Sequence, residues 1–277
     1  CMQNYKNFIF SLDQLAIVCH RGLWGTTPEN SFSSIQKAIN QDLPIVEIDV
    51  RQNLNGEFYL IHDEYLDRTT NLFGNISNLS SEDLKKCKLK EGDGSSMKIT
   101  DEQIPSLRNV LDKFSGKIFF DIDNKNIKER DELVKFIHDN HYYDYVDIKK
   151  SLKNIDEAEN FIEKEKHSKL INMIILNLEQ NKINDSLEIL QITKPDIVEI
   201  NFKDLHSFIK VSNFAKKMGV HVWVNTLDGV AIDGFNDTFA LLNPDKSWRI
   251  LIENGTSIIQ TDKPLVLLDW YNNQYIS

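Results

Sequence analysis

Three cysteines, Cys1, Cys19 and Cys87, are too few and too scattered to staple a fold, so a disulfide framework is excluded. With eleven glycines and six prolines in 277 residues, the chain is neither collagenous nor low in complexity. No apolar run reaches the roughly 20 residues needed to cross a bilayer as a helix. Nor does a Gly-rich dinucleotide fingerprint appear. Positive charge is also scarce. Against 42 Asp and Glu stand 32 Lys and Arg, a formal net charge of −10, which disfavours nucleic acid or an anionic membrane as main partner. An anionic small molecule would have to be met by cations of its own site. Cys1 precedes Met2 and is expected to be a remnant ahead of the natural start, with a cytoplasmic location. The alternative is a lipid-anchored, exported form in which Cys1 is the mature terminus.

What the chain does contain is one unit used repeatedly, a short apolar strand followed by a stretch of helical periodicity. Strands are expected at 15–19, 45–51, 117–122, 145–149, 171–177, 196–201, 220–225 and 257–261, with helical patterns such as "ENSFSSIQKAIN" and "KERDELVKFIHDN" between them. Strands alternating with helices read as a parallel sheet with right-handed crossovers. Eight units in this length predict an α/β fold, a (β/α)8 TIM barrel; an open doubly wound sheet is the competitor. Residues 1–277 are expected to form a single barrel domain, with 64–116 as a small insertion between strands 2 and 3.

Several strands alternate. In "VEIDVR", Val46, Ile48 and Val50 share one face and Glu47, Asp49 and Arg51 the other. "VDIK" sets Asp147 and Lys149 apart from its apolar residues, "VEIN" does so for Glu199 and Asn201, and "VHVWVN" for His221, Trp223 and Asn225. In a barrel the helices cover the outer face, so these polar sets should point inward and crowd the mouth. After strand 2, Asn55-Gly56 reads as a two-residue hairpin turn, which would place His62 directly opposite Asp49.

Glu47 and Asp49, joined by Asp121 at the end of "KIFFD", make three carboxylates that repel one another unless protonated or bridged by a cation. An all-oxygen donor set suits one divalent hard cation, Mg²⁺ or Ca²⁺. His20 and His62 flank the acids and could give and take protons near neutral pH, as in-line displacement at phosphorus requires. Arg21 offers a fork for phosphate oxygens.

The ordered set "HRG", "PENS", "EIDVR", "IHD", "LDRTTN", "IPSLRNVL", "VHVWVNT" and "IIQTDKP" resembles the glycerophosphodiester phosphodiesterases along nearly the whole chain. The resemblance implies metal-dependent hydrolysis of a glycerophosphodiester to glycerol 3-phosphate and an alcohol. Attack by the neighbouring glycerol hydroxyl, through a cyclic phosphate, is the route it suggests. It makes His20 and His62 the acid/base pair, Glu47, Asp49 and Asp121 the metal ligands, and Arg21 a phosphate contact. Glu29 and Asn30 would support the first loop, and Trp223 would line the substrate pocket. The pattern departs at one place. Where the family has Glu, any residue, then Lys, this chain reads Asp121-Ile122-Asp123-Asn124-Lys125, so Lys125 or Lys149 is expected to supply the missing phosphate-binding charge, with Lys149 favoured. Alternatives are a phospholipase D-like relative acting on lysophospholipid or sphingomyelin head groups, for which "LFGNI" (72–76) is a candidate apolar rim, and a phosphate-ligand-binding barrel without turnover.

Overall fold

The computed structural model describes residues 2–179 and 181–276; Cys1, and with it the expectation about the N-terminus, lies outside them. The strands among these residues are β1 (Ala16–His20), β2 (Ile45–Gln52), β3 (Phe58–Leu60), β4 (Lys88–Lys90), β5 (Ile99–Gln103), β6 (Phe119–Asp123), β7 (Val146–Ile148), β8 (Lys150–Ser151), β9 (Met173–Asn177), β10 (Ile197–Asn201), β11 (His221–Asn225) and β12 (Thr256–Thr261). Every strand expected from the sequence is present to within two residues at either end. The chain divides into two compact units, one of residues 19–148, the other of 3–18 with 149–276. No helix among the described residues is long and apolar enough to cross a membrane.

In the first unit β2, β6 and β7 run parallel, with Glu47 beside Asp121, Asp49 beside Asp123, and Asp121 beside Asp147. A parallel pair leaves side chains of one rung on one face, so these acids share a face by construction. Their burial fits the alternation read from sequence: Glu47, Asp49, Asp121 and Asp147 are all buried.

The hairpin differs from expectation. β3 pairs antiparallel with β2 in the register Val50–Leu60, Arg51–Tyr59, Gln52–Phe58, and the Ile61 N–H donates to the Asp49 carbonyl at 3.0 Å. Ile61, not His62, therefore stands opposite Asp49. The loop closes one residue wider than a two-residue turn: the Gly56 N–H donates to the Asn53 carbonyl, and Asn53 pairs with Glu57. Gly56 alone carries the positive φ, +77°, that ends such a three-residue loop. Asn53 favours it, because its Oδ1 accepts from the N–H groups of both Asn55 and Glu57.

The helices follow their caps. Ser106 Oγ accepts from the Asn109 N–H and opens the helix Leu107–Phe114, whose Leu107, Val110, Leu111 and Phe114 recur at helical spacing and are fully buried. Each such side chain contributes about 1.5–3 kcal/mol in transfer terms. The expected insertion carries β4 and β5, which pair antiparallel, and an apolar cluster of Leu66, Ile76, Leu84, Cys87, Leu89 and Ile104.

In the second unit β8 to β12 run parallel in chain order. The outward residues of β9 to β11, such as Ile174, Val198 and Val222, pack with Phe208 and Val211 of the helix Leu205–Lys217 into one core.

Candidate active site

The site of the first unit begins where β1 stops. Past His20 the backbone turns through Arg21 (φ +58°) and Gly22 (φ +80°). Gly22 is required twice over: its φ disfavours any side chain, and a Cβ there would stand 2.3 Å from Ser34 Oγ. Ser34 belongs to the reciprocal cap that starts the helix Phe32–Asn40, its Oγ accepting from the Ser31 N–H while Ser31 Oγ accepts from the Ser34 N–H. The "HRG" and "PENS" segments thus hold each other, and the Asn30 N–H donates to the Arg21 carbonyl at 3.0 Å.

That bracing sets the first-loop side chains. Asn30, itself at φ +52°, donates from Nδ2 to Asp49 Oδ2 (3.0 Å) and accepts on Oδ1 from the Asp49 N–H (3.1 Å). Arg21 places Nε 3.1 Å from Asp49 Oδ2 and donates from Nη1 to both oxygens of Glu29, at 3.0 and 3.2 Å. His20 Nε2 lies 3.6 Å from Glu47 Oε2. Burial opposes the charged form of Asp49, but the Arg21 guanidinium, His62, the Asn30 amide and His20 outweigh it and hold the carboxyl below its ordinary range.

His62 approaches from the far end of the hairpin. β3 ends at Leu60, so the pleat no longer dictates its direction; Arg51 Nε grips the His62 carbonyl at 2.8 Å instead. Its Nδ1 is 2.8 Å from Asp63 Oδ1, and its Nε2 is 2.6 Å from Lys125 Nζ. Asp63 is clamped by Arg68, whose Nε and Nη2 donate to its two oxygens at 2.8 and 3.0 Å. These bonds, then its interaction with His62, hold the Asp63 carboxyl far below the usual carboxylate range against partial burial. The other edge of Arg68 donates to Glu29 at 2.8 and 3.2 Å. Burial opposes its charge, yet the two carboxylates push the guanidinium above its ordinary value. Glu29 is therefore shared between Arg21 and Arg68, one arginine reaching Asp49 and the other reaching Asp63.

Glu47, Asp49 and Asp123 each present a carboxylate oxygen, and the three atoms lie within 4.8 Å of one another. The third acid of this group is Asp123 and not Asp121. Both point to the same face, but the register puts Asp121 one rung deeper, beside Glu47, and Asp123 level with Asp49 at the end of β6. Alternation fixes the face of a residue and leaves its rung open, so the sequence could not choose between them. A donor set this close, made wholly of carboxylates, could hold a hard cation.

Of the lysines weighed for phosphate, Lys125 stands beside His62. Lys149 lies in the second unit, where its ammonium donates to Glu199 Oε1 at 3.2 Å and sits 5.7 Å from the Trp223 ring centre. Trp223, expected to line the substrate pocket, is fully buried and donates from Nε1 to Asn225 Oδ1 at 2.8 Å. The roles of Asp63, Arg68 and Asp123 were not read from the sequence. "IHD" and "LDRTT" contain the first two, five residues apart, but only the fold sets them face to face.

Comparison with known proteins assigns the fold. A glycerophosphoryl diester phosphodiesterase structure from Parabacteroides distasonis superposes with a TM-score of 0.77 at 23% identity, covering 100% of this chain and 94% of that one. An Oleispira antarctica phosphodiesterase, solved in complex with the product sn-glycerol-3-phosphate, gives 0.65 at 21% identity, covering 92% and 95%. The chain is thus an α/β protein of the TIM-barrel class. In sequence it is similar to glycerophosphodiester phosphodiesterases of Bacillus subtilis, 30% identical over 129 residues, and of Caldanaerobacter subterraneus, 33% over 103. These stretches cover 44% and 37% of this chain, and the chain spans only 43% and 42% of the relatives' own length. Residues 172–271 match a family described only as a domain of unknown function. Proteins named glycerophosphodiester phosphodiesterases are thus among those this chain is similar to, over part of its length in sequence and over nearly all of it in fold.

Proposed function

We propose that this protein hydrolyses a glycerophosphodiester to glycerol 3-phosphate and an alcohol. The observation that carries the reading is the convergence of Glu47, Asp49 and Asp123 with two imidazoles and two cations: His20 is beside Glu47, Arg21 is beside Asp49, and His62, which interacts with Asp49, is beside Lys125. Three carboxylates whose oxygens lie within 4.8 Å of one another fit a hard divalent cation, Mg²⁺ or Ca²⁺, held by Glu47, Asp49 and Asp123. Such an ion supplies charge neutralisation at the phosphoryl oxygens.

The remaining work falls to the chain's own groups. One imidazole accepts the proton of the glycerol 2-hydroxyl as its oxygen attacks phosphorus. The other protonates the departing alkoxide, releasing the alcohol and a cyclic phosphate. Water then opens the ring with the two proton transfers reversed, giving glycerol 3-phosphate. Arg21 and Lys125 bind the non-bridging oxygens, Lys125 filling the place of the missing motif lysine. The test is hydrolysis of glycerophosphocholine and glycerophosphoethanolamine with Mg²⁺ or Ca²⁺, and again after chelation. Turnover that is lost on chelation and restored by one of the ions is expected; no hydrolysis of either diester under any condition overturns the reading.

One observation favours a second substrate class. Phe73 and Met97 are 77% and 67% exposed and, with Ile99 and Arg68, line a groove of about 450 Å³ on the expected insertion. An apolar rim of this kind suits the acyl chain of a lysophospholipid. Faster turnover of lysophosphatidylcholine than of glycerophosphocholine would select it.

A further inference from the structure

The β4–β5 hairpin carries a buried cation without a counter-ion. Lys90, the last residue of β4, is only 7% exposed. Its ammonium donates to the Asp67 carbonyl at 2.8 Å and lies 3.9 Å from Met97 Sδ. The lysines on either side are paired, Lys88 with Asp101 at 3.2 Å and Lys98 with Glu91 at 3.0 Å. Among the described residues Lys90 meets no carboxylate. An ammonium has three hydrogens to give, and burying it without an anion is costly.

The backbone around Lys90 is as unusual as its charge. In the connecting loop "GDGSSM", Gly94 (φ +88°) lies so close to Arg68 that a Cβ there would stand 1.9 Å from the Arg68 carbonyl oxygen. Met97 holds a left-handed backbone, φ +59°, and still leaves most of its side chain in solvent. With Phe73 and Ile99, which are also exposed, it forms the apolar side of the 450 Å³ groove that Lys90 lines. A buried cation thus stands at one side of an exposed apolar trough.

We infer that this groove binds a singly charged anionic amphiphile, a fatty carboxylate of medium length, with its head on Lys90 and its chain over Phe73, Met97 and Ile99. The charge of the head follows from the lining. Arg68 also borders the groove, but its N–H groups are already given to Asp63, Glu29 and the Asp93 carbonyl. Lys90 is therefore the one cation to be matched, and the carboxylates of Asp67 and Asp93 in the same lining would repel a dianion. Met97 can yield its place beside the ammonium, since a thioether on an unbranched chain repacks easily. The volume lies in the lower half of the roughly 300–1,000 Å³ range of small-molecule sites, which suits a chain of about eight to ten carbons. The inference concerns binding and does not rest on the proposed hydrolysis. A lysophospholipid with its acyl chain in the same groove would bring a zwitterionic choline head, so dependence on Lys90 separates the two occupants.

The test is ligand-observed NMR titration of the intact protein with octanoate, and with octan-1-ol as the uncharged analogue. Octanoate should bind at least about tenfold more tightly than the alcohol, because only the carboxylate forms a charge-assisted bond with the buried ammonium. Lys90→Met should abolish that preference and weaken octanoate by about tenfold or more. Phe73 is an exposed side chain, so Phe73→Ser leaves the fold intact and should weaken octanoate by about tenfold, which keeps the assignment testable if Lys90→Met fails to fold. Absence of octanoate binding, equal binding of octanoate and octan-1-ol, or octanoate binding unchanged in folded Lys90→Met or in Phe73→Ser would overturn it.

Discussion

Lys125 Nζ stands 2.6 Å from His62 Nε2, on the side of the ring opposite the Asp63 carboxylate. An ammonium can only donate, so Nε2 accepts and Nδ1 is the nitrogen that carries hydrogen to Asp63. The imidazole is thereby held in one tautomer and one orientation, with a cation at the atom proposed to exchange a proton with substrate. Lys125→Met should cost roughly a hundredfold in kcat/KM on a glycerophosphodiester, as the loss of one charged transition-state contact does. The check is steady-state kinetics; wild-type turnover would remove Lys125 from the site.

Arg68 should act through what it holds. Its guanidinium bridges Asp63, which orients His62, and Glu29, which orients Arg21. Arg68→Met should lower kcat and raise KM together, each by about tenfold or more, since both the proposed proton-transfer group and the proposed phosphate fork lose their support. Arg68→Lys should recover little, because one ammonium cannot span two carboxylates with paired bonds. A change in only one of the two constants would separate the halves of this bridge.

The deeper and shallower acids can be told apart. Asp123→Asn should remove metal-stimulated activity by a factor on the order of a hundred, and should abolish the rise in melting temperature produced by Mg²⁺ or Ca²⁺. At an ion concentration a hundred times Kd the wild type gains about 2.7 kcal/mol, a shift of several degrees at this size. Asp121→Asn should keep most of that shift. Calorimetric melting with and without the ion is the measurement, and the reverse order would return the ligand role to Asp121.

Acid should weaken the first unit through the same network. Asp49 and Asp63 ionise at lower pH in the folded protein than in the unfolded chain. A depressed carboxyl contributes stability that is present above its unfolded value, about 3.9, and disappears as pH falls through the folded one. Denaturant midpoints should therefore be insensitive to these groups between pH 5 and 7 and fall steadily below about pH 4. In Arg68→Met the fall should be shallower, because Asp63 loses the partner that depresses it.

Lys149→Met tests stability more than phosphate binding. Lys149 and Glu199 form an ion pair whose side chains are 5% and 4% exposed. Removing the cation strands a buried carboxylate and should destabilise the protein by about 3 kcal/mol, read from chemical denaturation. A variant of normal stability but lost turnover would instead support the phosphate role first given to this lysine.

Much was legible in one dimension. The alternation in "VEIDVR" and "VEIN" assigned faces, because side chains of a strand alternate with a period of two whatever lies around them. "HRG" and "PENS" announced a special loop through residue types that left-handed backbone and helix caps demand, and Gly22, Asn30 and Ser31 occupy those places. Other features were settled only by chain meeting chain. The Asn55-Gly56 signal was compatible with two loop lengths, and Asn53 chose the wider one, moving Ile61 opposite Asp49. Asp121 and Asp123 share a face, so their rungs follow from the register of β6 on β2. Lys125 and Arg68 reach His62 and Glu29 from distant sequence positions. Periodicity is a local property and was readable; register, rung and long-range pairing depend on which backbone groups face each other, which no stretch of sequence contains by itself.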